Sequence, residues 1–216
     1  MNETLFFDTE TTGLVLPGKS PTDPAQPMPV QLGLKLDAPD RKEMGAMNYL
    51  IKTDNCIKTP QWLIQDRASE VTGINNAMAD QYGISFISGM ETFFDYMEIA
   101  EIVIAHNARF DVTVMRRATK VYCDETGHKL FDPFEDKKVI CTMLSAINIV
   151  KAKPKRNGQW KWPRLEECVM AFFGRKLEGA HDALNDVRAT AEVFYHLVDT
   201  GVFDEEPTKT RSSNLR

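Results

Sequence analysis

The chain has 216 residues, enough for one large domain with a full hydrophobic core. Hydrophobic residues make up 43% of it and charged residues 26%, which is the balance of an ordinary soluble globular protein. The formal net charge of −5 argues against a protein that binds nucleic acid by charge alone, although a local basic patch is compatible with it.

The sequence predicts a soluble protein that does not associate with membranes. No apolar stretch approaches the roughly 18 residues that a membrane span requires, and no basic segment followed by an apolar run marks a signal peptide. The four cysteines are widely spaced and include no C-x-x-C pair, which is typical of reduced thiols rather than a zinc site. We therefore expect an intracellular, cytoplasmic protein.

The first part of the chain predicts an antiparallel meander. A strand begins at Thr4 and leads towards Gly13, a loop rich in proline and glycine spans 15–28, and two further short apolar runs cover 30–36 and 47–51. After this meander, helices and strands alternate. The spacing of apolar residues predicts strands over 102–105 and 139–142 and helices over 61–71, 88–99, 106–120, 163–173 and 183–199, with a short helix ending at 149.

This order of elements predicts an α/β fold with a mixed sheet. Residues 1–200 are expected to form one domain, which includes a basic loop with two tryptophans at 151–164. Residues 201–216 are polar and poor in hydrophobic residues, so we expect a flexible C-terminal tail.

Two carboxylates, Asp8 and Glu10, follow the apolar part of the first strand. Alternate side chains of a strand point to the same face, so these two acids share one face and repel each other unless a positive charge lies between them. The pair predicts half of a divalent-metal site; the alternative is a strand end with solvated acids.

Three further candidates lie where helices are predicted to begin. Asp111 follows a short buried strand and opens a helix, where capping of that helix is the alternative role. Asp182 is suited to cap the last helix, which places His181 on the preceding loop and Asp186 one turn inside. A loop histidine bonded to its neighbours and a solvated acid at the helix dipole are the alternatives for this pair.

These residues form three motifs in a fixed order, namely Asp8-x-Glu10, His106-Asn107-x-x-Phe110-Asp111 and His181-x-x-x-x-Asp186. They resemble the three exonuclease motifs of the DEDD superfamily, in the branch whose last motif carries histidine. That branch includes the proofreading epsilon subunit of DNA polymerase III, ribonuclease T and oligoribonuclease. The resemblance spans about residues 4–200 and implies a ribonuclease H-like fold, a mixed five-stranded sheet flanked by helices.

The resemblance implies a metal site of four acids with a histidine general base: Asp8, Glu10, Asp111, Asp186 and His181. Carboxylates without sulfur ligands favour hard cations such as Mg²⁺ or Mn²⁺. Two such ions per active site, about 3.5–4 Å apart, can clamp a phosphodiester and would roughly neutralise the four acids. A histidine has an unperturbed pKa of ~6.5, which suits proton uptake from the attacking water near neutral pH.

Substrate-binding candidates come from two sources. The resemblance implies contacts from Thr11 and Leu14, and Asn107 and Phe110 match the second motif, where orienting the backbone and packing on the sheet is favoured over contact with metal. In the basic loop, lysine and arginine can track the phosphate backbone and a tryptophan can stack on a base; these candidates are Lys153, Lys155, Arg156 and Trp160. The alternative is a solvated loop with buried tryptophans.

The prediction is a metal-dependent 3′→5′ exonuclease that releases nucleoside 5′-monophosphates from single-stranded or frayed 3′ ends, with DNA preferred. An exoribonuclease of the same fold is the near alternative, because the discriminating contact is with the 2′-hydroxyl. The second alternative is a non-catalytic module that binds nucleic acid or a polymerase. A DNA polymerase is a candidate partner of the protein. Neither oligomeric state nor pathway follows from the motifs.

Overall fold

A mixed five-stranded sheet forms the centre of the protein, in the strand order β3-β2-β1-β4-β5. The computed structural model describes residues 2–53, 62–155 and 157–202. The strands are β1 (Thr4–Thr11), β2 (Pro29–Asp37), β3 (Glu43–Leu50), β4 (Ile102–Ala105) and β5 (Lys138–Cys141). The pairs of β2 with β1 and with β3 are antiparallel, whereas β4 runs parallel to both β1 and β5. The predicted meander and mixed sheet are confirmed.

Helices lie on both faces of this sheet, which confirms the predicted α/β fold. They are α1 (Asp66–Thr72), α2 (Asn76–Tyr82), α3 (Phe86–Ile99), α4 (Ala108–Thr126), α5 (Thr142–Val150), α6 (Leu165–Phe173) and α7 (Ala183–Asp199). Within the described ranges, no helix is both long enough and apolar enough to cross a membrane.

The side chains of β1 divide between two hydrophobic clusters. Phe7 belongs to the large cluster that includes Phe93 of α3 and Met115 of α4. Phe6 points to the other face, where it contacts Phe194 of α7 edge-on with ring centroids 5.7 Å apart. Because strand residues alternate between faces, the even-numbered positions beyond Phe6 face α7 and the odd-numbered positions face α4.

One predicted helix is wrong in its bounds. The pattern over 61–71 predicts a single helix, but α1 begins only at Asp66, and α2 was not predicted at all. Trp62 is buried and stacks edge-on against Phe86, so its apolar character reflects packing of an irregular segment and not a helical face. The side chain of Asn75 accepts a hydrogen bond from the Met78 backbone and thereby starts α2 as a separate helix.

The other predicted bounds are close to those found. The helix predicted over 106–120 begins at Ala108 and continues to Thr126, two turns further than the apolar pattern indicated. Gly127, with φ of 75°, ends it in the left-handed conformation that glycine adopts without strain. Gln61, Cys56 and most of the predicted tail, 203–216, lie outside the described residues.

Candidate active site

The first two acids lie at the carboxyl end of β1, on the face that α7 covers. Asp8 and Glu10 are partly exposed, whereas the intervening Thr9 and the preceding Phe7 are buried. The expected alternation along the strand is confirmed, and it directs both carboxylates away from the large cluster and towards the start of α7.

Asp111 reaches the same region from the other face of the sheet. It lies in the first turn of α4, which follows β4, the parallel neighbour of β1. The carboxylate is only 2% exposed, and its Oδ1 accepts two hydrogen bonds from Thr9, from the backbone N–H at 3.1 Å and from the hydroxyl at 2.8 Å. Burial raises the pKa of Asp111 to about 7, although the hydrogen bonds from Thr9 counteract part of that effect.

The last motif brings a histidine and an acid to the site from the start of α7. Asp182 caps this helix, as predicted, by accepting a hydrogen bond of 3.1 Å from the Asn185 backbone. His181 lies outside the helix, is exposed, and has a positive φ of 67°. Its backbone N–H donates to Asp186 Oδ2 at 3.1 Å, so the loop and the first turn of the helix are fixed to each other.

Three of the predicted residues converge closely enough to share one ion. Glu10, His181 and Asp186 each offer a ligand atom, and these atoms all lie within 4.8 Å of one another. The second carboxylate oxygen of Asp186, Oδ1, is buried and has no hydrogen-bond partner among the residues that the structure describes. A buried carboxylate oxygen without a donor is costly, and a bound cation would remove that cost.

The acids raise one another's pKa in addition to the effect of burial. Burial first, and then the charges of Asp111, Glu10 and Asp186, raise the pKa of Asp8 well above its ordinary value. The pKa of Glu10 rises to about 8 through burial and the charges of Asp186 and Asp111. The pKa of Asp186 is also raised, mainly by burial, and the hydrogen bond from His181 opposes this rise. This cluster therefore holds excess negative potential that a divalent cation would neutralise.

The donor set fits a hard divalent cation. Four carboxylates with one adjacent imidazole and no sulfur match the ligands that Mg²⁺ and Mn²⁺ prefer. The fit rests on the buried Oδ1 of Asp186, for which the described ranges hold no hydrogen-bond partner, and on the convergence of Glu10 and His181 with this side chain.

Residues that no motif marks hold the start of α7 in place. Gln31 of β2 accepts a hydrogen bond from the Ala183 backbone at 3.2 Å and donates to Asp182 at 3.3 Å. Asn48 of β3 donates to the same Asp182 carboxylate at 2.9 Å. A Cβ at Gly33 would lie only 2.4 Å from the Ala183 carbonyl carbon, so this strand position requires glycine.

The signal for these supporting residues in the sequence is weak. A glycine inside a predicted strand indicates close approach of another backbone, which is what Gly33 permits. Nothing in the sequence alone shows that Gln31 and Asn48 face the loop before α7, because those contacts join positions 151 and 134 residues apart.

Comparison with known proteins places this geometry in a family. A family model described as an exonuclease, RNase_T, matches residues 46–194, which include Asp111, His181 and Asp186. The chain belongs to this exonuclease family. The match begins after Asp8 and Glu10, so those two acids depend on the motif and on the structure for their assignment.

Individual relatives of the exonuclease chain agree with this assignment. It is 28% identical over 142 residues to DNA polymerase III subunit epsilon of Aquifex aeolicus, covering 65% of this chain and 60% of that protein. Exonuclease I of E. coli in complex with a dT13 oligonucleotide superimposes with a TM-score of 0.68 at 22% identity, over 93% of this chain and 41% of that one. Exonuclease I from Methylocaldum szegediense superimposes with a TM-score of 0.67 at 23% identity, over 100% of this chain and 42% of that one.

The chain is shorter than these relatives. It spans 60% of the Aquifex protein, and 19% of a Mycobacterium tuberculosis protein whose name combines an exonuclease with an endonuclease, to which it is 27% identical over 141 residues. These two structural neighbours, at 22% and 23% identity, establish the fold, and that fold is the ribonuclease H-like one expected from the motifs.

The structure places the substrate-binding candidates of this exonuclease chain in different environments. Thr11 is buried, and its hydroxyl donates to the Gly13 carbonyl at 2.7 Å, so it shapes the turn after β1. Leu14, by contrast, is 73% exposed just beyond that turn. Asn107 has a positive φ of 63° and starts α4 without a side-chain capping bond, while Phe110 is half-buried. Their roles in substrate binding stay predictions.

The basic loop contributes exposed cations. Lys153 and Lys155 are exposed, and Trp160 is half-buried, whereas Trp162, which was not among the candidates, is 53% exposed. Arg156 lies outside the described residues. The exposed tryptophan therefore differs from the one that the sequence suggested.

Proposed function

We propose that this chain is a divalent-cation-dependent 3′→5′ exonuclease that releases nucleoside 5′-monophosphates from the 3′ end of nucleic acid. The observation that carries the proposal is the convergence of Glu10, His181 and Asp186, whose ligand atoms all lie within 4.8 Å of one another. Asp8 lies on the same strand as Glu10, and Asp111 lies in the first turn of α4. Membership of the exonuclease family supports the same reaction class.

Asp8, Glu10, Asp111 and Asp186 are the residues that would hold Mg²⁺ or Mn²⁺, with two ions per site as the proposed number. When bound, such cations would supply Lewis-acid polarisation of the phosphate and charge stabilisation for the leaving oxygen. The chain itself supplies the fixed geometry: Thr9 orients Asp111, and the His181 backbone orients Asp186.

His181 is the proposed general base. Its ring lies on the exposed side of the acid cluster, on a loop that is fixed to Asp186 through the backbone. A water molecule attacks the terminal phosphorus and transfers a proton to the imidazole while the bond between phosphorus and the 3′-oxygen of the preceding nucleotide breaks. The departing 3′-oxygen takes up a proton from solvent, so the products are a nucleoside 5′-monophosphate and a strand that is one nucleotide shorter with a free 3′-hydroxyl. A base in this position typically contributes about 10²–10⁴-fold in rate.

DNA is the preferred substrate in this proposal. The support is the name of the Aquifex relative, a DNA polymerase III subunit, and the oligodeoxynucleotides dT13 and dA16 bound to the structural neighbours from E. coli. The same relative suggests a DNA polymerase as a candidate partner. The exposed Leu14, four residues beyond Glu10, is suited to pack against the terminal base of a single-stranded or frayed end. A cytoplasmic location stays a prediction.

The test is product analysis on matched DNA and RNA oligonucleotides labelled at either end, with Mg²⁺, Mn²⁺ or EDTA. We expect a ladder that shortens from the 3′ end only when a divalent cation is present, with DNA degraded faster than RNA. Asp186→Asn keeps the size of the side chain but removes its charge, and we expect it to abolish the ladder. Absence of cleavage by the folded protein under every condition would instead favour the non-catalytic binding module.

A further inference from the structure

The basic loop between α5 and α6 folds into a short hairpin. Pro154 and Trp160 form an antiparallel bridge, and the Lys161 backbone N–H donates to the Lys153 carbonyl at 3.1 Å. We refer to residues 153–155 and 157–162 as the basic hairpin. Gly158, with φ of 78°, forms its tip, so the exposed side chains project from a backbone with a defined turn.

One face of the basic hairpin combines an aromatic ring with a lysine ammonium that lies over it. The Lys155 ammonium lies 5.1 Å from the centroid of the Trp162 ring, and that ring is 53% exposed. Lys161 is bound to Glu167 at 3.0 Å, whereas Lys153 and Lys155 have no carboxylate partner in the part of the chain that the structure describes. An exposed tryptophan beside free lysines is the combination that single-strand binding proteins use for bases and phosphates.

A half-buried histidine joins the end of the hairpin to the carboxyl end of β4. The carbonyl of Pro163, the residue after Trp162, lies 3.1 Å from His106 Nε2, and His106 Nδ1 lies 3.0 Å from the Thr142 hydroxyl. Burial lowers the pKa of His106 to about 4, so the ring is neutral, with Nε2–H donating to Pro163 and Nδ1 accepting from Thr142. His106 directly follows β4, and α4 with Asp111 begins two residues later.

The hairpin leads directly into α6, whose first turn carries Glu166 and Glu167. Burial is the main cause that raises the pKa of Asp186, and the charge of Glu166 in this turn adds a smaller contribution. Arg164, two residues beyond Trp162, is paired with Glu166 at 2.9 Å. Trp162 therefore directly precedes Pro163, which His106 contacts, and lies two residues before the N-cap of α6.

We propose that Trp162 and Lys155 form a binding site for single-stranded nucleic acid, with a base stacked on the Trp162 ring and a phosphate paired with Lys155. The bound nucleotide lies on the 5′ side of the terminal nucleotide, because the 3′ end occupies the acid cluster. This inference rests on the proposed function for its direction along the strand. A stacking interaction of this kind contributes roughly 5- to 150-fold in affinity per base.

The experiment compares a long substrate with one that reaches only the acid cluster. The two substrates are a 12-nucleotide single strand and thymidine 5′-(p-nitrophenyl phosphate), measured with Mn²⁺ for wild type, Trp162→Ala, Trp162→Phe and Lys155→Gln. Lys42→Gln is the matched control, because Lys42 is exposed in the turn between β2 and β3, at the opposite edge of the sheet.

We expect Trp162→Ala to raise the KM for the 12-nucleotide strand by roughly 5- to 150-fold and to leave the hydrolysis of the nitrophenyl ester unchanged. Trp162→Phe should retain most of the affinity, and Lys155→Gln should reduce the dependence of KM on salt concentration. An unchanged KM in Trp162→Ala would overturn the proposal. Equal losses on both substrates would also overturn it, because they would indicate a structural role.

A binding measurement separates this proposal from the proposed function. The anisotropy of a fluorescein-labelled 12-nucleotide strand, titrated with each variant in EDTA, reports affinity without any hydrolysis. If the wild type hydrolyses neither substrate but Trp162→Ala still weakens binding, the exonuclease proposal fails and the binding site stands. Equal affinity of Trp162→Ala and wild type overturns the site whatever the activity, and selective binding of an acidic peptide in place of the strand would assign it to a protein partner.

Discussion

Thr9 holds Asp111 by two hydrogen bonds to a single carboxylate oxygen, Oδ1, one from its hydroxyl at 2.8 Å and one from its backbone N–H at 3.1 Å. Thr9 is the middle residue of the first motif, and it points to the opposite face of the sheet from Asp8 and Glu10. The strand that supplies two acids on one side thus also fixes the third acid on the other.

Removing the Thr9 hydroxyl should weaken the site without removing any acid. In Thr9→Val, Asp111 loses one of the two hydrogen bonds that Thr9 donates to it, so its pKa should rise and its affinity for a cation should fall. We expect a loss of about 10–100-fold in activity or cation affinity, the range for residues that orient metal ligands. Thr9→Ser keeps a hydroxyl and is the matched control. Titration of activity with Mn²⁺ measures the effect, and identical half-saturating concentrations in wild type and Thr9→Val would contradict it.

Gly33 should be required for the position of α7. In Gly33→Ala, the new Cβ would lie 2.4 Å from the Ala183 carbonyl carbon and 2.5 Å from its oxygen, so the start of the helix must shift and carry Asp186 with it. Overpacking of this kind costs about 1–3 kcal/mol, and we expect activity to fall further than the loss of folded protein accounts for.

Gly45→Ala is the control for this strand position. Its Cβ would meet only the hydroxyl end of the Tyr96 side chain, at 2.8 Å, which can move aside. Thermal unfolding and specific activity of both variants provide the comparison. If Gly33→Ala keeps the stability and activity of the wild type, the close contact with Ala183 does not require glycine at this position.

Stability of the cation-free protein should depend on pH through the acid cluster. The pKa of Asp111 is about 7 and that of Glu10 about 8, both above their unfolded values, so the folded state binds protons that the unfolded state releases. This contribution to stability is present below about pH 4 and is lost as the pH rises through 7 to 8. In EDTA, Glu10→Gln should therefore gain Tm relative to wild type between pH 5 and pH 9, by a few degrees, since 1 kcal/mol corresponds to about 2–4 °C.

Mg²⁺ or Mn²⁺ should oppose the loss of stability that the cation-free protein shows as the pH rises. Protons compete with cations for carboxylates, so the increase in wild-type Tm on adding Mn²⁺ should be larger at pH 8.5 than at pH 5.5. Differential scanning fluorimetry at both pH values, with Mn²⁺ or with EDTA, measures this increase in Tm. A Tm increase that is independent of pH, or one that persists in Glu10→Gln, would place the cation elsewhere.

His181 should matter for turnover and not for assembly of the site. His181→Ala removes the proposed base, and we expect kcat to fall by about 10²–10⁴-fold while binding of the strand in EDTA is unchanged. His128→Ala is the control, because His128 is exposed and contacts Thr126 and Tyr122 at the end of α4. Parent-like kcat in His181→Ala would exclude the base role.

The sequence located the acids because each follows or lies in a short, strongly patterned element. The buried run before Asp8 and the run Ile102–Ala105 before Asp111 are local signals, and the spacing from the capping residue Asp182 placed His181 outside α7. The structure confirms these elements, although the chemical roles of the residues stay predictions.

What the sequence could not predict depends on contacts between distant segments. The support that Gln31 and Asn48 give to α7, and the link from His106 to Pro163, join residues that are 57 or more positions apart. The helix predicted over 61–71 was wrong because Trp62 is buried by tertiary packing against Phe86, which hydrophobic periodicity cannot distinguish from a helical face.

The central claim is that the acid cluster hydrolyses nucleic acid from a free 3′ end with a divalent cation. The most direct measurement incubates a linear and a circular single-stranded DNA of the same sequence with Mn²⁺ and either wild type or Asp186→Asn, and identifies the released products. We predict nucleoside 5′-monophosphates from the linear strand alone, with none from either strand in Asp186→Asn. Cleavage of the circle, or equal release by Asp186→Asn, would contradict the claim.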